Sequence, residues 1–174
     1  MKKSRGIQLL PPDVTYDRMA SPVGELTIIT SPQGLHAILW GGDFKNPQYE
    51  KFLNCLNPSV NEPTILATKN QLSEYFQGER KKFDLPLVIQ GTDFQIRVWN
   101  ELLKIPYAQT ISYGEQAEKI SDKNKARAVG MANGRNPIPI IIPCHRVIGS
   151  KGHLTGFGGG LSNKAYLLKL ENSA

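Results

Sequence analysis

The stretch from Arg135 to Val147, reading RNPIPIIIPCHRV, limits this chain more than any other. Pro137, Pro139 and Pro143 fix φ and cannot sit inside a helix, and each pushes the residue before it toward extended backbone. The run is therefore predicted to be a stiff, apolar, strand-like arm that ends at the thiol of Cys144. A free cysteine is most often an inert, buried, apolar residue. Here His145 and Arg146 follow at once, and cationic neighbours favour the thiolate, the form that attacks carbon. Cys144 is accordingly the candidate nucleophile.

The 174 residues, 40% of them hydrophobic, are enough to bury a real core in one large domain or two small ones. No run approaches the ~20 apolar residues that span a bilayer, and the apolar stretch Ile7 to Leu10 is too short for a secretory signal, so a cytoplasmic, membrane-free protein is expected. In that reducing setting Cys55 and Cys144 should be two free thiols. The net charge of +6 is unevenly placed. Residues 1–91 hold 10 Lys/Arg against 9 Asp/Glu, whereas 92–174 hold 11 against 6. Between residues 119 and 169 nine cationic side chains face only Asp122. A solvated basic face accounts for that; so does a polyanion-binding surface, which gains weight because the basic stretch brackets the thiol.

In chain order, Val14 to Ala20, Glu25 to Thr30 and Leu35 to Trp40 are short extended runs separated by Ser-Pro-x-Gly turns, which predicts a three-stranded antiparallel meander. Tyr49, Phe52, Leu53 and Leu56 recur at helical spacing, as do Ile65, Leu66, Leu72, Tyr75 and Phe76 before Gly78. Cys55 belongs to the first of these helices and should be packed or half-buried. Phe83 to Ile89 is another extended piece, and Gln90-Gly91 is the predicted domain boundary.

Beyond it, Thr92-x-x-Gln95 has capping-box spacing and opens a helix whose stripe is Phe94, Val98, Trp99, Leu102 and Leu103. Ser112-x-x-Glu115 repeats the pattern. After a stop and new cap at Ser121-Asp122, Asn124 to Asn133 reads as a second short helix, basic and rich in small residues. Two short helices joined by a tight polar turn fit a helix-turn-helix, although any αα-hairpin looks similar. Ala126, Ala128, Gly130 and Ala132 allow close helix packing or, equally, backbone approach to a groove with Arg127 projecting from among them. The loop Gly156-Phe157-Gly158-Gly159-Gly160 lacks the spacing of a dinucleotide-binding turn. Leu161 to Glu171 is the closing helix, with Leu161, Ala165, Leu167 and Leu168 expected on its buried side.

Five segments of the second half, Ile111-Ser112-Tyr113-Gly114-Glu115, Ala126-Arg127-Ala128-Val129-Gly130, Asn136-Pro137, Ile142-Pro143-Cys144-His145-Arg146-Val147 and the glycine loop, closely resemble the O6-alkylguanine-DNA alkyltransferase family. The likeness is dense over 92–171 and looser over 16–90. It implies an α/β N-terminal domain with a small antiparallel sheet (1–91) and a mainly α-helical C-terminal domain (92–174) containing the helix-turn-helix and the alkyl acceptor. It further implies irreversible, single-turnover transfer of the alkyl group from O6 of guanine, and less generally O4 of thymine, to Cys144. By the same resemblance His145 acts through a bridging water as the base and Glu171 orients it. Tyr113 bonds the base and can supply a proton to it. Asn136 organises the turn beneath the site. Arg127 enters the base stack; Ser112, Tyr113, Ala126, Ala128, Gly130 and Arg135 complete the DNA-binding set. Tyr113, Val147, Phe157 and Gly158 would line the base pocket, with the carbonyls of Cys144 and Val147 accepting from the guanine amino group. Extrusion of the nucleotide is required on physical grounds, because a thiol cannot reach O6 inside a stacked duplex.

Phe157 stands where many members have tyrosine and Gly158 where others have serine, which bears on adduct range. The resemblance implies no cofactor, double-stranded DNA with alkylated bases as partner, and a monomer. Some members hold structural zinc, but only His36 and Cys55 precede residue 92 here, too few for a tetrahedral site. Two other readings compete on the residues alone: a Cys-His hydrolase, which leaves the charge asymmetry idle and needs an oxyanion hole, and a non-catalytic binder of alkylated bases, against which Cys144 itself speaks.

Overall fold

The structure is a computed structural model that describes residues 10–11, 13–45, 47–59, 61–120 and 123–173. The polar start at 1–9 and the helix stop at Ser121-Asp122 lie outside the described residues. The chain divides into two compact units, 1–90 and 91–174.

In the first unit the meander forms as expected: β1 (Thr15–Met19), β2 (Leu26–Ser31) and β3 (Gly34–Trp40) pair antiparallel. A two-residue strand, β4 (Asn57–Pro58), adds in parallel to β1, so the sheet is mixed, in the order β3-β2-β1-β4. The free side of β3 is covered too, since Leu35 accepts from Val88 and donates to Pro86, at 2.9 and 2.8 Å. Gly34 makes this possible: its φ is +140°, and a Cβ there would run into the Pro86 carbonyl.

Strands β2 and β3 are buried along their whole length. On one side Val14, Ile29, Ala37 and Leu39 pack with Tyr49 and Leu53 of helix α1 (Pro47–Leu53). Helix α2 (Pro63–Phe76) lies against β2 and β3 and buries Ile65, Leu72 and Tyr75. Leu66, expected in that stripe, is exposed. Cys55 is exposed as well, just past the end of α1, its thiol bonded to the Lys51 carbonyl at 3.3 Å. The helix stops two residues early, so the periodicity that placed Cys55 in a packed stripe no longer holds there.

The second unit is helical: α3 (Asp93–Leu102), α4 (Tyr113–Ile120), α5 (Ala126–Asn133) and α6 (Leu161–Asn172). Both predicted capping boxes are formed. Thr92 Oγ1 accepts the Gln95 amide while Gln95 accepts the Thr92 amide, and Ser112 and Glu115 do the same at 3.1 and 2.6 Å. Trp99, Val98 and Leu102 bury the inner face of α3. Three buried polar contacts then fix how α3, α4 and α5 meet. Trp99 Nε1 donates to the Ala132 carbonyl at 3.0 Å, Gln116 Nε2 to the Val98 carbonyl at 3.2 Å, and Asn133 Nδ2 to Gln116 Oε1 at 2.7 Å. Satisfied polar groups in a core select one packing register, because any other leaves them unpaired.

Helix α6 departs from expectation. Its buried residues are Lys164, Leu167 and Glu171, whereas Leu161 and Ala165 are exposed and Leu168 is half-buried. The helix turns a polar edge inward because that edge belongs to the site described next.

Candidate active site

The proline-rich segment is not a strand. Asn136, buried, accepts the Ile138 amide on Oδ1 at 3.0 Å and donates Nδ2 to the Ile142 carbonyl at 2.7 Å. Ile142 in turn donates to the Ile138 carbonyl at 2.9 Å, and Pro139 bridges to Ile142. The segment is thus wound into a closed loop with Ile138, Ile140 and Ile142 fully buried. Its apex, Ile140, has φ +74°. A β-branched residue in that region is strained by an order of 1–3 kcal/mol, and the surrounding bonds over-determine it. Proline rules out helix without requiring strand, and the asparagine side chain supplies the partners that a strand neighbour would have given.

Cys144, His145 and Arg146 follow as one turn of 3₁₀ helix, closed by the Arg146 amide on the Pro143 carbonyl at 3.0 Å and the Val147 amide on the Cys144 carbonyl. Successive side chains of such a turn leave the backbone about 120° apart. This replaces the extended geometry expected at the thiol. Strand β5 (Ile111–Ser112) pairs in parallel with β6 (Val147–Ile148), which brings Tyr113, the first residue of α4, beside the exit of the turn.

His145 and Arg146 both converge on Glu171. His145 Nε2 lies 2.7 Å from Glu171 Oε1, and Arg146 grips the carboxylate through Nε at 2.9 Å and Nη2 at 2.9 Å. Arg146 Nη1 also donates to the Ile105 carbonyl at 2.6 Å, and the Ala108 amide donates to Glu171 Oε2 at 3.1 Å. Burial opposes the Glu171 charge, but the hydrogen bonds from His145 and Arg146, with their charges, hold the carboxyl down to about 2. Burial pushes the His145 pKa down, with Glu171 working the other way. An ionised carboxylate at Nε2 fixes the proton on that nitrogen. Nδ1 is then the basic nitrogen, and it is buried with no hydrogen-bond partner among the described residues. Arg146, counted in the sequence among the basic surface and as a direct support for the thiolate, is 7% exposed and committed to Glu171.

A second buried cation, Lys164, interacts with the charge of the thiol. Lys164 is fully buried; its Nζ donates to the Val147 carbonyl at 2.6 Å and the Thr155 carbonyl at 2.8 Å and lies 5.6 Å from the centre of the Tyr113 ring. Burial lowers the Lys164 pKa, and a charge on Cys144 works against that. The Tyr113 hydroxyl donates to the carbonyls of Thr155 and Gly156, at 2.9 and 3.2 Å. Its pKa is raised by burial, opposed by the Thr155 bond and reinforced by Cys144. Sequence reading missed Lys164, whose only signal was its place three residues ahead of Leu167 and seven ahead of Glu171 on one helix face.

Cys144 itself is 6% exposed and not in a disulfide. Tyr113 interacts with its charge and ties through its hydroxyl to Gly156 at the start of the glycine loop, where Phe157 is half-buried and Gly158 exposed. The Val147 carbonyl, expected to meet a base, already takes the Lys164 ammonium, leaving its second lone pair. On α5, Arg127 and Ala128 are exposed, Ala126 and Gly130 half-buried, and Arg135 exposed just past the helix end. Ser112 Oγ is engaged as the cap of α4. The arrangement offers a nucleophile, a neutral imidazole with a bare nitrogen, a phenol donor and a cationic helix face, chemistry suited to displacement at carbon.

Two family models match the chain: "6-O-methylguanine DNA methyltransferase, ribonuclease-like domain" over residues 14–89, and "6-O-methylguanine DNA methyltransferase, DNA binding domain" over 93–173. A methylated-DNA–protein-cysteine methyltransferase of Mycobacterium bovis is 46% identical over 160 residues, covering 92% of this chain and 93% of the relative. One from Methanosarcina acetivorans is 46% identical over 153 residues, covering 84% and 97%. Among solved structures, Mycobacterium tuberculosis O6-methylguanine methyltransferase superposes with a TM-score of 0.82 at 45% identity, covering 92% of this chain and 93% of that one. The crystal structure of Mycobacterium tuberculosis OGT in complex with DNA gives 0.81 at 44%, covering 91% and 93%.

Proposed function

The chain belongs to the 6-O-methylguanine DNA methyltransferase family and repairs DNA as a methylated-DNA–protein-cysteine methyltransferase, and on that premise we propose that Cys144 is the alkyl acceptor. The observation that supports this is that one short turn carries both a nearly buried thiol and an imidazole whose Nδ1 is left basic by the Glu171 carboxylate. The thiol proton passes to His145 Nδ1 through a bridging water. Sγ of Cys144 then bonds the alkyl carbon as the bond from that carbon to O6 breaks, and the departing guanine takes a proton from Tyr113, whose phenolate regains one as the His145 imidazolium gives up the thiol proton through water. The product is a thioether, a very poor leaving group, so each chain acts once.

Glu171 and Asn136 are positioning residues in this reading, the first acting on His145 and the second on the loop beneath the thiol turn. Residues 92–174 form the DNA-binding and acceptor domain, with Arg127, exposed on α5, entering the stack. Tyr113, Val147, Phe157 and Gly158 line the pocket for an extruded purine. The protein acts as a monomer on alkylated double-stranded DNA in the cytoplasm, where the two unbridged thiols are at home. Incubation with an O6-methylguanine duplex should add one methyl per chain to the peptide holding Cys144, and Cys144→Ser should add none. Repeated turnover, or label on another residue, would overturn the assignment.

A further inference from the structure

Helix α5 carries one side chain that its basic surface does not explain. Met131 is 57% exposed, the most exposed large apolar side chain among the described residues. The helix has its own core contacts elsewhere, through Val129, Ala132 and Asn133. Met131 lies four residues from Arg127 and four from Arg135, so the three share the outward face. The turn is continued past the helix end to Arg135 by its amide on the Ala132 carbonyl at 3.0 Å. Ala128 and Gly134, both exposed and small, flank the row. Between residues 124 and 135 the charged side chains are Lys125, Arg127 and Arg135, and none is acidic.

We propose that Met131 is an apolar wedge on this face, seated against the bases that flank the extruded nucleotide, with the arginines on either side meeting phosphate or stacked base. The inference rests on the repair reading above. A cationic row accounts for attraction to a polyanion but gives no reason for a thioether in its middle. Unbranched, polarizable methionine fills irregular gaps, and apolar wedges of this kind hold unstacked base steps open. Position adds a second argument. Gly130, the preceding residue, rests on the Tyr113 ring, two of whose carbons lie 3.6 Å from the site a Cβ would occupy. Met131, about 100° further round α5 than this contact, faces outward from the same turn of helix that packs on Tyr113, four residues from Arg127.

The test compares Met131→Ala, Met131→Leu and Arg135→Ala on two substrates, an O6-methylguanine duplex and free O6-benzylguanine, which has no flanking bases. Met131→Ala should slow transfer from the duplex about tenfold, since most of a methionine's burial is lost. The free base should lose far less, and Met131→Leu should recover most of the duplex rate. The dependence of duplex affinity on salt should keep its slope in Met131→Ala and become shallower by about one in Arg135→Ala. Equal losses on both substrates, an unchanged duplex rate, a changed slope in Met131→Ala, or altered self-association without DNA would each overturn the wedge. If the unmodified protein transfers from neither substrate to Cys144, the repair reading fails instead.

Discussion

Replacing Glu171 by glutamine tests the buried cluster most directly. The carboxylate takes hydrogen bonds from His145, Arg146 and the Ala108 amide. Glutamine keeps one acceptor oxygen and turns an NH₂ toward groups that are all donors. Arg146, 7% exposed, is left with an uncompensated charge. Removing one partner of a buried pair costs about 3–5 kcal/mol. The acid titration gives a separate route to the same size. Lowering the carboxyl from 4.5 to about 2 corresponds to about 3 kcal/mol. Because the folded value is the depressed one, this stabilisation is complete above pH 4.5 and is lost as pH falls toward about 2. Glu171→Gln should therefore lower the urea midpoint by an amount worth about 3 kcal/mol with m unchanged, and should flatten the acid limb between those pH values. Methyl transfer should slow about tenfold to a hundredfold as His145 loses its orientation. A variant that loses less than about 1 kcal/mol, or keeps the same acid limb, would refute the account of the cluster.

Three further outcomes follow from the same geometry. Arg127→Ala should weaken transfer from duplex DNA about tenfold or more beyond any effect on free O6-benzylguanine, and equal losses would remove its place in the stack. Lys164→Met takes away a buried cation whose charge interacts with the thiol; the ultraviolet titration of the Cys144 thiolate should move to higher pH and transfer at neutral pH should slow. An unmoved titration would show that Lys164 serves only the backbone carbonyls. In the first unit, His36 is buried against Ser31 at 2.7 Å, and burial lowers its pKa from 6.5 while Asp13 works the other way. With the folded value below the unfolded one, stability is full above 6.5 and falls as the solution is acidified; His36→Gln should abolish that dependence in urea midpoints.

What the sequence disclosed was whatever a few neighbouring residues decide by themselves. The capping boxes at Thr92 and Ser112, the Ser-Pro-x-Gly turns and the stripe around Trp99 all depend on contacts within one turn or hairpin, and each formed, except that Leu103, expected in the stripe, is exposed just past the helix end. Failures came where a distant partner supplies the reason. Asn57–Pro58 joins β1 from across the fold, so no local pattern marks it as a strand. The proline arm looked extended because proline excludes helix, yet Asn136 folds it into a loop. Helix α6 looked as though Leu161 and Ala165 should face inward. Lys164 and Glu171 do so instead, and their partners at Val147, Thr155, His145 and Arg146 lie 9 to 26 residues away.

The ammonium of Lys164 has a further consequence once the reaction is over. Before transfer, an ionised sulfur nearby helps it stay charged in the interior. In the proposed reaction the sulfur ends as a neutral thioether, larger by an alkyl group, in a niche that was 6% open. The ammonium then keeps its bonds to the carbonyls of Val147 and Thr155 but loses the charge that offset its burial. On that reading an alkylated chain should unfold at a lower urea concentration than an unreacted one.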